Sequence, residues 1–337
     1  MRVEVAEARQ VARHALINAG TPPELADIQV AALIEAELRG VASHGLLRLP
    51  RLVERIRNGV TDPAARGSGR WRSPAVWEVD GGGGLGPVVA CEAISHVSER
   101  ARETGIALAA IRHAGHLGAI GWYAERIASA GQIAVVVTTS EALVHPWGGR
   151  RALIGTNPVA IGVPAEPHPF VLDMATGVVS MGKVHDYANR GKALEPGWAL
   201  DADGTPTTDA RRAREGAITP FGGAKGYGLA LGFELLVAGL TGSALGTDVT
   251  GTLDSTKPST KGDVIMVIQP DDGMVAPISA YLDEIRRCPP IDEGTAVAVP
   301  GDRGRMRKAG ALVEGIELPD EIWAALRGLA ADEFQES

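Results

Sequence analysis

Asp80-Gly81-Gly82-Gly83-Gly84-Leu85-Gly86 is the stretch on which the fold turns. Read as G-x-G-x-x-G through Gly81, Gly83 and Gly86, ahead of a helix expected from Pro87 to Thr104, it would be the phosphate-binding turn of a Rossmann domain. Its surroundings argue otherwise. The strand before it, Trp77-Glu78-Val79, is short, and no acidic residue follows Ile106-Ala107-Leu108-Ala109-Ala110-Ile111 at a position suited to a ribose hydroxyl. Gly81 to Gly86 therefore reads as a tight glycine turn.

Downstream, the strand from Ile106 to Arg112 runs into His113-Ala114-Gly115-His116-Leu117-Gly118-Ala119 and an amphipathic helix from Ile120 to Ala130. Gly115 and Gly118 let a ligand approach the backbone at the helix entrance, where amides point outward. Ile133 to Thr138 is an apolar strand with Thr139, Ser140 and Glu141 at its carboxyl end, where ligands gather in α/β proteins. Gly155-Thr156-Asn157-Pro158 is a polar turn feeding the strand Val159 to Val163. Phe170 to Thr176 is a further strand, followed by Gly182-Lys183 and a surface loop from Gly191 to Asp209. Phe221-Gly222-Gly223-Ala224-Lys225-Gly226-Tyr227-Gly228 opens the most apolar helix, Leu229 to Leu240, without the spacing of a Walker loop. Val264 to Ile268 is a buried strand, Ile278 to Arg287 a helix, Val299 to Arg303 a turn, and Pro319 to Leu329 a closing helix.

Upstream, residues 3 to 18 carry apolar positions at helical spacing and stop at Gly20. Thr21-Pro22-Pro23-Glu24 reads as a capping box that starts a helix delivering the chain to Gly40. A third helix is expected through Leu46, Leu49, Leu52, Val53 and Ile56, ending near Asn58-Gly59, and Pro63 to Pro74 reads as a linker. At this junction lies Arg39-Gly40-Val41-Ala42-Ser43-His44-Gly45-Leu46-Leu47-Arg48. If it is helical, His44 and Arg48 share a face one turn apart. An arginine matches a carboxylate with two parallel donors, and histidine titrates nearest neutrality. A solvated helix face would look the same.

The chain has 337 residues and a net charge of −8, which suggests several subdomains and argues against a nucleic-acid or anionic-membrane partner. No segment reads as a signal peptide or a membrane span, so a cytoplasmic protein is expected. Cys91 and Cys288 lack metal-ligand spacing and are expected as free thiols, with no metal.

Taken together, Arg39 to Gly45, His116-Leu117-Gly118, Gly155 to Pro158, Asp173-Met174-Ala175-Thr176, Gly182-Lys183, Gly222 to Gly228 and Pro300-Gly301 resemble the malate/L-lactate dehydrogenase family. That family includes L-sulfolactate and ureidoglycolate dehydrogenases and delta-1-piperideine-2-carboxylate reductase. The resemblance implies an α/β fold of the L-sulfolactate dehydrogenase type, non-Rossmann, with a helical domain from both termini (1–60 plus 295–337). It also implies a central mixed-sheet domain (61–115 plus 228–294), an inserted cofactor domain (116–227) and a homodimer with its active site near the interface.

By the same resemblance His44 would exchange the proton with Ser43 and Asp186 as relay partners, and His116 competes for that role. Arg48 would clamp a small carboxylate substrate in a pocket completed by Thr156, Gly182 and Lys183. His116, Leu117, Gly118, Ala119, Ile120, Ser140, Asp173, Met174, Ala175, Thr176 and Lys225, with Gly301, Asp302 and Arg303, would hold NADH or NADPH. The implied activity interconverts a 2-oxo acid and its 2-hydroxy acid; the alternative is reduction of a cyclic 2-imino acid. A degenerate member that binds a metabolite without turnover is less favoured. Gly262-Asp263 departs from the Gly-His pair expected before the late strand, which bears on the substrate rather than on the redox class.

Overall fold

The computed structural model describes residues 1–292 and 294–331. At its centre is a seven-stranded mixed sheet in the order Ser68–Ser73, Val76–Asp80, Ile106–Arg112, Gly262–Ile268, Ile133–Thr138, Val159–Val163, Phe170–Met174. Only Val76–Asp80 and Ile106–Arg112 run parallel; the other neighbours are antiparallel.

Gly262–Ile268 lies at the centre of the sheet with both its faces covered, as the apolar run from Val264 to Ile268 requires. Alternation along Ile106–Arg112 shows the two faces. Ala107, Ala109 and Ile111 pack into a core with the helices Gly86–Thr104 and Gly121–Ser129, whereas Leu108 and Ala110 face the helix Ala224–Thr241.

Both chain ends build a helical unit. Val5–Asn18, Pro23–Leu38, Leu49–Arg57 and Asp320–Ala331 share one core, closed by pairing of Arg2–Val3 with Ile316–Glu317. A smaller five-stranded sheet, from Ala142–Val144 to Ala217–Ile218, packs with the helices Met181–Asn189 and Ala210–Ala213. The central sheet thus draws strands from the 61–115, 116–227 and 228–294 segments alike. Among the described residues no helix is long and apolar enough to cross a membrane.

The glycine run is a turn, and its reason is packing. A Cβ on Gly86 would lie 2.5 Å from the carbonyl oxygens of Gly115 and His116, so the helix start is pressed against the segment that carries His116. Four local readings change. Ser68–Ser73, inside the expected linker, is an edge strand, a position that tolerates its polar sequence. The second helix begins at Pro23 after an extended Pro22, and Thr21 caps nothing. Asp302–Glu314 is a helix where only a turn was expected, and Met181–Asn189, to which the sequence assigned no element, is a helix as well. The stretch from Ala42 to Arg48 is two 3-10 turns, Ala42–His44 and Leu46–Arg48, broken at an extended Gly45.

Candidate active site

The break at Gly45 has a specific cause. Glu37, buried on the second helix, accepts a hydrogen bond from the Leu46 amide at 2.7 Å, and a Cβ on Gly45 would sit 2.2 Å from the same carboxylate oxygen. Glycine admits the carboxylate, and the carboxylate fixes the turn that carries His44 and Arg48. Burial, offset only by the Leu46 hydrogen bond and by no cation among the described residues, pushes the Glu37 carboxyl up to about 7.

The turn aims two polar groups, His44 and Arg48, at one cavity. His44 Nδ1 lies 2.9 Å from Ser43 Oγ. Arg48 Nε donates to the Ser43 carbonyl at 2.8 Å and Nη1 to the Thr252 carbonyl at 3.3 Å, while Nη2 makes no hydrogen bond among the described residues. His116 reaches the same cavity from the loop after Ile106–Arg112, its ring centroid 5.3 Å from that of His44. The Gly118 amide donates to His116 Nδ1 at 2.9 Å, so the neutral ring carries its proton on Nε2. Burial, then the Arg48 charge, lowers His44 to about 4. The same two causes hold His116 well below the usual histidine range, with smaller contributions from His44 and Lys261. Both imidazoles are therefore neutral at pH 7.

The arginine is held from behind. Glu141 Oε1 accepts from the amides of Thr252 and Leu253 at 2.8 and 3.0 Å, fixing the carbonyl that receives Arg48. Arg55 ties the same loop through the carbonyls of Asp254 and Lys257 at 2.9 and 3.0 Å. Beneath His116, Lys261 and Asp263 form a fully buried ion pair in place of the expected Gly-His pattern.

The strand ends at Ser140, Thr156 and Thr176 converge. Ser140 Oγ accepts from the Thr156 amide at 2.9 Å and lies 3.1 Å from Thr156 Oγ1; Thr176 donates its hydroxyl to the Thr156 carbonyl at 2.7 Å. Asp173, in the strand Phe170–Met174 that Ala175 follows, accepts from the Gly121 amide at 2.7 Å and so anchors the loop Leu117 to Ile120. Tyr123 holds that loop from below, donating to the Leu117 carbonyl at 2.6 Å. Gly118 opens onto free space: a Cβ there would meet nothing within 4 Å.

Other expected residues are placed differently. Gly182, in the first turn of the helix Met181–Asn189, lies beside Ser43: a Cβ on it would sit 3.6 Å from the Ser43 Cβ. Lys183 lies over the rings of Trp198 and Tyr187, at 4.7 and 5.5 Å. Asp186 pairs with Arg190 at 2.8 Å, and no hydrogen bond joins it to His44 among the described residues. Lys225 is exposed in the first turn of Ala224–Thr241. Gly301 turns the chain against the Val171 carbonyl, and Asp302 is held by Arg286 and Arg305 far below the usual carboxylate range despite its partial burial. Arg303 is exposed. Glu37, Asn157 and Glu234, discussed below, received no role from the sequence. The one available signal was a single acidic residue in the most apolar helix.

A mixed sheet flanked by helices, without a Rossmann turn, carries two neutral histidines and a fixed arginine in one cavity, a set of groups chemically suited to proton transfer beside an anion. The malate/L-lactate dehydrogenase model matches residues 3–327. A dehydrogenase from Sinorhizobium meliloti superposes with a TM-score of 0.95 at 51% identity, covering 98% of each chain. L-sulfolactate dehydrogenase from Methanothermobacter thermautotrophicus is 34% identical over 337 residues, covering 98% of this chain and 97% of the relative. Delta1-piperideine-2-carboxylate reductase from Pseudomonas syringae pvar. tomato superposes with a TM-score of 0.88 at 30% identity, covering 98% of this chain and 99% of that one. The chain belongs to the malate/L-lactate dehydrogenase family, and it is an enzyme of the NAD(P)-dependent dehydrogenase class.

Proposed function

We propose that the protein interconverts a small 2-oxo acid and its 2-hydroxy acid, with His44 as the proton-exchanging group. The observation that carries this reading is the meeting of His44, His116 and Arg48 in one cavity. Arg48 has two of its donor nitrogens committed to carbonyls, so its guanidinium is locked with Nη2 left for a substrate carboxylate.

The histidines divide the work by tautomer. His116 Nδ1 is an acceptor to Gly118, which leaves Nε2–H as a donor toward the substrate oxygen. His44 has Nδ1 on Ser43, and its Nε2 is available to take the hydroxyl proton in oxidation or return it in reduction. The anionic substrate, once seated on Arg48, offsets the charge that depresses His44 and raises its affinity for that proton.

The neighbouring residues fit a nicotinamide cofactor. Ser140 and Thr156 offer neutral hydroxyls, and Gly118 leaves the backbone open beside His116. When bound, NADH or NADPH supplies or receives the hydride. Ser140, Asp173 to Thr176 and Leu117 to Ile120 would orient it, with Lys225 and the Gly301 to Arg303 turn at its outer end. We assign the exposed apolar ridge of Ala224–Thr241 to a second copy of the chain, giving a homodimer.

Steady-state assays with NADH and NADPH against pyruvate, oxaloacetate and piperideine-2-carboxylate test the reading. The Ser43–His44 contact and the likeness to the piperideine-2-carboxylate reductase support cyclic imine reduction as the second reading. Turnover of the imine alone would replace the first with the second.

A further inference from the structure

The helix Ala224–Thr241 carries a single acidic side chain, Glu234, and it points inward, 4% exposed. Its Oε2 accepts from the Asn157 side-chain amide at 2.8 Å and the Gly155 backbone amide at 3.2 Å, and its Oε1 accepts from the Gly246 amide at 2.6 Å. No cation pairs with it among the described residues. Three N–H donors converging on a buried carboxylate make its charge and both its oxygens necessary, because a neutral amide would turn an N–H group toward another donor.

Each of the donors on Oε2 leads to the site. Asn157, wholly buried, holds the Ser140 amide through Oδ1 at 3.2 Å, and its Nδ2 is fixed by Glu234 and by the Ala230 carbonyl at 3.1 Å. Its φ of 28° is a conformation that side chains rarely adopt, kept by these bonds. Gly155 is followed by Thr156, whose amide and hydroxyl meet Ser140 Oγ.

We propose that Glu234 is a positioning residue: through Asn157 and Gly155 it sets Ser140 in the geometry that receives the nicotinamide cofactor. This rests on the reading above that Ser140 faces the cofactor. Glu234 touches no reactant itself; it keeps two loops in register with the helix so that the hydroxyl is in place before the cofactor arrives.

The test is fluorescence titration of the full-length protein with NADH and with NADPH. Glu234→Gln should weaken the dissociation constant of the bound cofactor about tenfold or more, the size expected when a charged acceptor is lost to buried donors. Should that variant not fold, Asn157→Gly, which relieves the backbone but frees the Ser140 amide, should shift the constant in the same direction. Asp201→Asn is the control for a merely structural loss. Asp201 is also a buried carboxylate capped by amides, those of Asp203 and Thr205 at 3.1 and 2.9 Å, so this substitution should lower the melting temperature and leave the cofactor constant unchanged. Unchanged cofactor affinity in Glu234→Gln and Asn157→Gly, with Ser140→Ala weakened, overturns the proposal alone. Failure of the unaltered protein to bind either cofactor, or of Ser140→Ala to weaken it, overturns the functional reading and the proposal with it.

Discussion

The imidazoles of His44 and His116 lie 5.3 Å apart, tilted by 41°, although 72 positions separate them in the chain. Their hydrogen bonds differ, and that difference predicts unequal consequences of the same substitution. His116→Gln keeps an N–H donor toward the substrate and should retain activity within about tenfold, since the donor is what this site uses. His44→Gln removes the proton-exchanging group and should cost about a hundred- to ten-thousandfold in kcat. Equal losses in kcat from the two would show that this division of roles is wrong.

The depressed titration of His44 carries its own pH signature. Oxidation of the hydroxy acid needs the unprotonated ring, which in the free enzyme persists down to about 4. The kcat/KM profile in that direction should stay level through pH 6.5, where an ordinary histidine would already titrate, and fall only as pH approaches 4. A profile that breaks near 6.5 would place His44 in a far wetter setting.

Arg48→Ala should act mainly on substrate binding, raising the KM of the 2-oxo acid about a hundredfold through loss of a charge-assisted pair. Glu141→Gln should move the same parameter less, because it only loosens the Thr252 carbonyl that holds the guanidinium. If KM and kcat for Arg48→Ala both match the unaltered protein, the arginine is not in the site.

The parts of this arrangement that sequence could show are those written in backbone and apolar patterning. The strand Gly262–Ile268 announces its central place by its apolar run, and Gly81 to Gly86 reads as a turn because the partners of a dinucleotide site are missing around it. The family motifs then bring His44, Arg48 and His116 to one place, 72 residues of separation notwithstanding. What stayed hidden depends on contacts between distant segments. Glu37 interrupts a helix at Gly45 through a single hydrogen bond, and nothing local in the sequence marks that meeting. Asp302–Glu314 exposes Met306, Leu312 and Val313, so no buried apolar stripe advertises the helix. Glu234 looks like a stray charge until its three donors, from Gly155, Asn157 and Gly246, are seen around it.

The outward face of Ala224–Thr241 predicts association. Leu229, Leu235 and Leu236 are 40%, 55% and 45% exposed, and Gly228, Gly232 and Gly239 leave room for another backbone to approach. Light scattering should find a dimer, and Leu235→Glu should shift the mass toward the monomer. A monomeric mass for the unaltered protein at micromolar concentration would reassign this face.

Glu37 predicts how stability follows pH. Its carboxyl titrates at about 7 in the folded chain and at 4.5 in the reference state, so between those values the folded protein holds a proton that the unfolded chain has released. Its contribution is fully present below 4.5 and is lost as pH rises through 7. The difference is on the order of 3 kcal/mol above that range. Glu37→Gln mimics the protonated form and can still accept from the Leu46 amide, so it should escape the loss. Thermal denaturation at pH 5 and pH 8 checks this: the melting temperature of Glu37→Gln relative to the unaltered protein should rise from the lower pH to the higher. A constant difference would mean that the carboxylate is already ionised in the folded state and that the turn holding His44 and Arg48 is fixed by an anion.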